Sequence, residues 1–289
     1  MKELVRQLDL FFVDKFSCWP DVVSIFVVGS MYDLESYNVR QNNDYDIRLL
    51  VTKVSPQLLE YIEDVRREWM QRTAHSEVNM EYNMLVGPVN HRLSDHAVNL
   101  LIHLIVHRVD DLTKFLPLTH QYCYRKNHRI LWGEDYLSGL CEKFSPQYLI
   151  ECHEGIRYCV DMIQRRVYKY LYWKPISETE TVFQYTEEPL PPQLQNESVF
   201  YSLKNVLNNL YNACITCRGI QGVTLEAYCQ WLCGGNDTYL TLVKATLARD
   251  ENALESYLDP DARFRIAVEL LLYLQKRIEC GQVEKMDVV

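Results

Sequence analysis

No phosphate-binding P-loop, no GxGxxG fingerprint and no GxSxG elbow occurs in this sequence, and no internal repeat of about 20–50 residues is visible. Walker-type kinase, Rossmann and hydrolase readings therefore lack support. Long hydrophobic runs are also missing. The most apolar one, AVNLLIHLIV (97–106), is interrupted by Asn99 and His103. It is too short for a bilayer span, which needs about 20 apolar residues. Positive charge is scarce, with 30 Lys+Arg against 39 Asp+Glu and a net charge of −9. The deficit is even: 14 against 19 from Pro146 onward (net −5) and 16 against 20 before it (net −4). Neither half offers the basic footprint that nucleic acid requires, and a small cationic or neutral substrate suits this balance better. The opening MKELVRQLDLFFVDKF carries charges throughout and reads as an amphipathic helix, not a signal peptide. The ten cysteines have no small secreted framework around them. The expectation is a soluble cytoplasmic protein with reduced thiols, monomeric or homodimeric, with no membrane partner.

What is present is enough apolar sequence, 48% of 289 residues, for two globular domains. Periodicity predicts a helix over 1–16 and strands over 24–28 (SIFVV, ending at Gly29) and 45–52 (YDIRLLVT). A charged helix is expected over 56–72, with Leu58, Leu59, Ile62 and Val65 at helical spacing. Residues 77–86 alternate. Val78, Met80, Tyr82 and Met84 share one face, and Glu77, Asn79, Glu81 and Asn83 share the other. A helix over 93–109 and a short one near 111–123 follow. His96, His103 and His107 would then share a helical face and read as packed helix residues. Ser145-Pro146 opens a long helix running to Trp173. The proline-bearing acidic stretch 174–197 reads as a loop. Helices are expected at 198–217, 224–233, 237–248, 251–257 and 260–280. Cys214 with Cys217 and Cys229 with Cys233 have ligand-like spacing, but they occupy apolar helical positions. The predicted fold class is α+β: a small mixed-sheet domain (1–144), then an all-helical domain (145–289).

The chemistry-bearing stretch is FVVGSMYDLESYNVRQNNDYDIRLLV, from Phe26 to Val51. Alternation puts Asp44 and Asp46 on one face of their strand, with Tyr45 and Ile47 on the other. Adjacent carboxylates repel unless a cation lies between them, and Mg2+ favours such oxygen ligands. A bare DxD more often marks a solvated strand end. Here Gly29 ends the preceding strand, so backbone N–H groups at the corner can meet phosphate oxygens, and Ser30 adds a hydroxyl.

Strand, Gly-Ser, DxD and apolar strand together resemble the polymerase-β-type nucleotidyltransferase superfamily. The spacer of 13 residues between Ser30 and Asp44 is longer than most members show, and MYDLE replaces the usual small-residue turn. The resemblance implies a nucleotidyltransferase catalytic domain over 1–144. It also implies a third carboxylate on a later strand, which completes metal binding or acts as general base. Glu81 (in MEYNMLV) and Glu77 (in EVNM) both fit, with Glu81 favoured by its flanking apolar residues. Two Mg2+ ions held by Asp44, Asp46 and Glu81, with ATP or another NTP as substrate, follow from the same resemblance.

ILWGEDYLSGL (130–140) and NVLNNLYNACITCRGIQGVTLEAYCQWLCGG (205–235) resemble segments of aminoglycoside adenylyltransferases of the streptomycin/spectinomycin type. The likeness makes 145–289 a helical substrate-binding domain and implies AMP transfer to a hydroxyl of an antibiotic-like small molecule. In that family the acceptor lies between the two domains. The acidic face Glu151, Glu154, Tyr158 and Asp161, opposite the apolar stripe of its helix, would suit an amino sugar. The family's lysine after the helical-domain glycine is replaced by Val223-Thr224-Leu225. Arg40, Lys53, Arg166, Lys169 and Lys204 are the alternative sources of charge for the nucleotide. Three rival readings stay open: toxin-like nucleotidylation of tRNA or protein, cyclic or oligonucleotide synthesis, and an inactive nucleotide-binding homologue.

Overall fold

A computed structural model describes residues 1–35, 43–87, 100–140, 145–248 and 259–284. The chain folds into two compact units. The first comprises Met1–Cys141 with Tyr170–Thr186, the second Glu142–Lys169 with Glu187–Val289. No helix among the described residues is long and apolar enough to cross a membrane.

The first unit is built on a five-stranded mixed sheet of order β3-β4-β2-β1-β5. Its strands are β1 (Val22–Val28), β2 (Asn43–Val51), β3 (Met80–Asn83), β4 (Leu100–Arg108) and β5 (His128–Gly133). β3, β4 and β2 run parallel, while β1 is antiparallel to both β2 and β5. Helices α1 (Lys2–Phe16) and α2 (Pro56–Arg72) cover one face. There Leu8, Phe12, Phe16, Leu58 and Ile62 close over Ile25, Val27, Tyr45, Ile47, Ile102 and Leu104. α2 starts where sequence places it: Ser55 accepts the Leu58 N–H at 3.2 Å, and Pro56 occupies the first turn. The opposite face carries a smaller apolar patch of Phe26, Val28, Leu50, Leu112, Leu116, Leu137 and Leu140. Short helices α3 (Leu112–Phe115) and α4 (Leu118–Lys126) precede β5.

The helix expected over 93–109 is overturned: Leu100–Arg108 is strand β4, paired on both sides by β3 and β2. A strand buried on both faces reads as a continuous apolar run, so LLIHLIV carries no period to separate strand from helix. His103 and His107 consequently lie on a sheet face, and His96 falls outside the described residues. β3 is shorter than the expected 77–86, which leaves Glu77 in an exposed bend before it.

A buried polar knot fastens α1 to the sheet. The Tyr45 hydroxyl donates to Asp9 Oδ1 at 2.5 Å, and Arg129 donates to both oxygens of Asp9 at 2.8 and 3.2 Å. Arg129 Nε also donates to the Tyr32 carbonyl at 3.0 Å, holding the turn that follows Gly29-Ser30. Removing one member of such a pair strands the other charge, at a typical cost of about 3–5 kcal/mol when fully buried. The Arg129 side chain is 29% exposed. Asp9→Ala is therefore expected at the low end, about 3 kcal/mol, with Asp9→Asn recovering part of the loss. Urea unfolding reads this, and a change below about 0.5 kcal/mol, the scale of ordinary surface substitutions, would remove the knot from the account.

In the second unit, α5 (Gln147–Arg165) buries Tyr148, Cys152, Ile156, Val160 and Ile163. The expected continuation to Trp173 is overturned. Arg166 is left-handed (φ 51), and β6 (Val167–Pro175) begins immediately after it. The stretch 174–197 is likewise not a loop throughout, since β7 (Thr181–Pro189) pairs with β6 as a hairpin, most of which, Tyr170–Thr186, belongs to the first unit. Alternating aromatic residues, VYKYLYW and TVFQY, favour strand over helix there. Among the described residues of the second unit, four further helices follow: α6 (Gln195–Tyr211), α7 (Leu225–Leu232), α8 (Asp237–Ala248) and α9 (Pro260–Glu279). α6 runs into a π-turn at Asn212–Thr216. Thr224 and Asp259 cap α7 and α9. Residues 251–257 lie outside the described residues.

Candidate active site

β1 ends at Gly29 with φ +74, a left-handed conformation that glycine adopts without penalty. Val28 pairs with Asp46 across the β1–β2 ladder, so this corner lies against the aspartate strand. The approach is close. A methyl group added at Gly29 would sit 2.5 Å from Asp46 Oδ2. Ser30 is exposed in the same short turn.

Register assembles the rest of the face. Asp44 and Glu81 both pair with Leu101 of β4, and Asp46 and Asn83 both pair with His103. Cross-strand partners point the same way, so Asp44, Asp46 and Glu81 share one face. Glu81 stands two strands from Asp44, a spacing of about 9–10 Å. Glu77 is not brought into this row. Among the described residues, no three His, Cys, Asp or Glu side chains gather tightly enough to hold a metal by themselves.

Asp46 is the best-anchored group. Its Oδ1 accepts from His103 Nδ1 at 3.0 Å and from Arg48 Nη2 at 3.3 Å. Burial works against its ionisation. The hydrogen bond from His103 and the charge of Arg48 outweigh that and bring the carboxyl down to about 2. Arg48 is buried and also donates to the carbonyls of Ile47 and His103, both at 3.1 Å, and to the Tyr124 hydroxyl at 3.2 Å. Sequence reasoning missed Arg48 and His103. Alternation alone puts Arg48 beside Asp44 and Asp46, whereas His103 was hidden by the helix assignment.

Two more histidines reach this face, His107 from β4 and His120 from α4. Burial, then the charge of Arg48, pushes His107 down to about 3 and His120 to about 4. His107 Nε2 and His120 Nδ1 have no hydrogen-bond partner among the described residues. Both stay neutral in the fold, while the unfolded chain protonates them below about pH 6.5. The unfolded state then binds more protons, so stability falls as pH drops from 6.5 towards 4. Both side chains are half-buried. The expected loss between pH 7 and pH 5 is accordingly on the order of 1 kcal/mol per histidine. Urea midpoints at the two pH values measure it. A His107→Leu/His120→Leu protein with an unchanged pH slope would refute it.

The donor set suits Mg2+. The candidate donors are carboxylate oxygens, and one or two carboxylates together with substrate phosphates are how this ion is commonly held. Asp46 has one oxygen fixed to protein and the other turned to the Gly29 corner.

The remaining predicted residues lie elsewhere. Arg40 falls outside the described residues, and Lys53 is exposed after β2. In the second unit Asp161 pairs with Lys169 and with Arg165, and the Tyr158 hydroxyl donates to the Lys169 carbonyl at 2.8 Å. Lys169 Nζ also lies 5.2 Å from the centre of the Tyr158 ring. Arg166 pairs with Asp261, and Lys204 packs on Tyr201. Glu151 is half-buried on α5, and Glu154 is exposed.

This five-stranded mixed sheet, its helices and the helical region that follows form a nucleotidyltransferase-like α+β fold. One solved structure that is similar to it is spectinomycin adenyltransferase AAD(9) from Enterococcus faecialis, crystallised with ATP and spectinomycin. The match covers 96% of this chain and 98% of that one, with a TM-score of 0.53 and 9% sequence identity. At that identity the likeness is one of fold. No family model matches the chain, and no curated protein matches it in sequence.

Proposed function

We propose that the protein is a Mg2+-dependent nucleotidyltransferase that moves AMP from ATP to a hydroxyl of a small molecule of the aminocyclitol or aminoglycoside kind. The observation that carries this reading is the Gly29 corner packed against Asp46, with Asp44 and Glu81 on the same face. In this reading the backbone at Gly29 and the Ser30 hydroxyl bind the β- and γ-phosphates. Asp44 and Asp46 hold Mg2+, which when bound neutralises charge on the triphosphate. Glu81 accepts the proton of the attacking hydroxyl. The hydroxyl oxygen bonds to the α-phosphorus, the bond to the bridging oxygen breaks, and pyrophosphate leaves. Little covalent work falls to the protein, so positioning and charge neutralisation supply the acceleration.

The fold's solved counterpart, crystallised with ATP and spectinomycin, supports both substrate classes. For an amino-bearing acceptor we assign the face of α5 that carries Glu151, Glu154, Tyr158 and Asp161; within the second unit Asp161 is ion-paired with Lys169 and Arg165, and the Tyr158 hydroxyl donates to the Lys169 carbonyl. The test is transfer of label from α-32P-ATP to a panel of aminocyclitols and aminoglycosides, with pyrophosphate release. Labelled acceptor that disappears with EDTA is the expected result. Product formed from triphosphates alone, or label on co-purified protein or RNA, would overturn the small-molecule assignment.

A further inference from the structure

We infer that His103 is the positioning residue of the carboxylate site: its imidazole bridges Asp46 to the exit of β3, so that Asp46 Oδ2 and the strand bearing Glu81 are held in one frame. The inference rests on the nucleotidyltransferase reading for its purpose, but its geometry stands by itself.

The ring makes two contacts in opposite directions. Nδ1 meets Asp46 Oδ1 at 3.0 Å, and Nε2 meets the Leu85 carbonyl at 2.8 Å. The ring thus presents one nitrogen to each element, Nδ1 to the carboxylate and Nε2 to the backbone carbonyl. The side chain is only 9% exposed, which keeps water from competing for either bond. Leu85 belongs to the segment leaving β3. Its own N–H donates to Asn83 Oδ1 at 2.6 Å, and Val86 next to it exchanges two 2.8 Å bonds with Leu171. Among the described residues β3 is a four-residue edge strand paired only with β4, so its ladder alone fixes Glu81 weakly. His103 adds a side-chain tie from the middle of β4, two residue pairs beyond the Asp44–Leu101–Glu81 row and on the same face.

The consequence for Asp46 is an assignment of its two oxygens. Oδ1 takes His103 and Arg48, which stops rotation of the carboxylate. Oδ2 is then directed at the Gly29 corner, where a cation bound with the triphosphate would meet it. Partners behind a ligand commonly matter about 10–100-fold for metal affinity. Histidine suits this task because one rigid ring spans acceptors on two elements. An asparagine amide can replace only Nδ1, and a glutamine amide only Nε2.

The experiment compares the full-length protein with His103→Asn, His103→Gln and His103→Leu. Mn2+ binding is followed by EPR in the presence of a non-hydrolysable ATP analogue, beside thermal unfolding and AMP transfer. His103→Asn is expected to keep Mn2+ affinity within about threefold, and His103→Leu and His103→Gln to lose about 10-fold or more. Equal affinity in all four proteins, or equal loss in Asn and Gln, overturns the inference. The Asn–Gln comparison also serves if His103→Leu fails to fold, because each retains one of the two bonds. Absence of Mn2+ binding to the unaltered protein overturns the inference and the nucleotidyltransferase reading together. The predicted affinity order without transfer to any acceptor overturns only the latter.

Discussion

Asp44→Asn and Asp46→Asn are each expected to lower AMP transfer by about 10³-fold or more, a barrier increase of about 4 kcal/mol. Each change replaces a full negative charge on the shared face with a neutral amide of the same shape, so the loss reports charge rather than packing. Asp46→Asn carries a second effect that shows without substrate. In the fold its carboxyl titrates at about 2, against an ordinary 3.8, because the His103 and Arg48 contacts outweigh burial. A depressed acid pKa stabilises the fold above the unfolded pKa, and this stabilisation is lost as pH falls through the folded one. The difference corresponds to about 2 kcal/mol at neutral pH. The metal-free Asp46→Asn protein should therefore unfold at lower urea than the parent at pH 7. The gap should narrow as pH falls from about 4 to 2. A gap that stays constant across that range would mean that Arg48 and His103 do not stabilise the ionised carboxylate. Transfer surviving Asp44→Asn would reject the site altogether.

Much of this was readable in the sequence wherever one face of an element meets water or a polar site. β1, β2 and α2 were legible because their periods are clean: Tyr45 and Ile47 face the core while Asp44 and Asp46 face away. The alternation of Val78, Met80, Tyr82 and Met84 likewise places all four against the core beneath α1 and α2. It overestimates the strand, since hydrogen bonding ends at Asn83 and does not include Glu77. β4 was illegible for the opposite reason. Buried on both faces, it shows no period, and its two histidines at i and i+4 imitate a helix face. The hairpin after α5 was hidden by a helix pattern that continues through Arg165. The left-handed Arg166 stops the helix, and no glycine or proline marks the place. The polar contacts of the site lie a level deeper. Asp9 meets Arg129 across 120 residues and Asp46 meets His103 across 57, so only the folded register brings them together.

Gly29→Ala tests that register at its tightest point. Transfer is expected to fall at least about 100-fold, with a modest loss of stability of about 1–2 kcal/mol from the left-handed backbone. Two penalties coincide at this residue. The φ of +74 disfavours any side chain, and the new Cβ would lie 2.5 Å from Asp46 Oδ2 and 3.4 Å from its Cγ. A long flexible neighbour would move aside, but Asp46 cannot do so cheaply. Rotating the carboxylate away breaks its contacts with His103 and Arg48, and keeping them forces the Gly29–Ser30 corner outward. Either outcome separates the phosphate-binding backbone from the carboxylate that must act beside it, and positional errors of about 1 Å can cost on the order of 10² in rate. The stability loss alone would leave the protein folded, so transfer and thermal unfolding should part company in this variant. Transfer within about threefold of the parent, a barrier change of under 1 kcal/mol, would show that the corner and Asp46 do not work as one unit. The shared face of Asp44, Asp46 and Glu81 would then need another phosphate-binding partner.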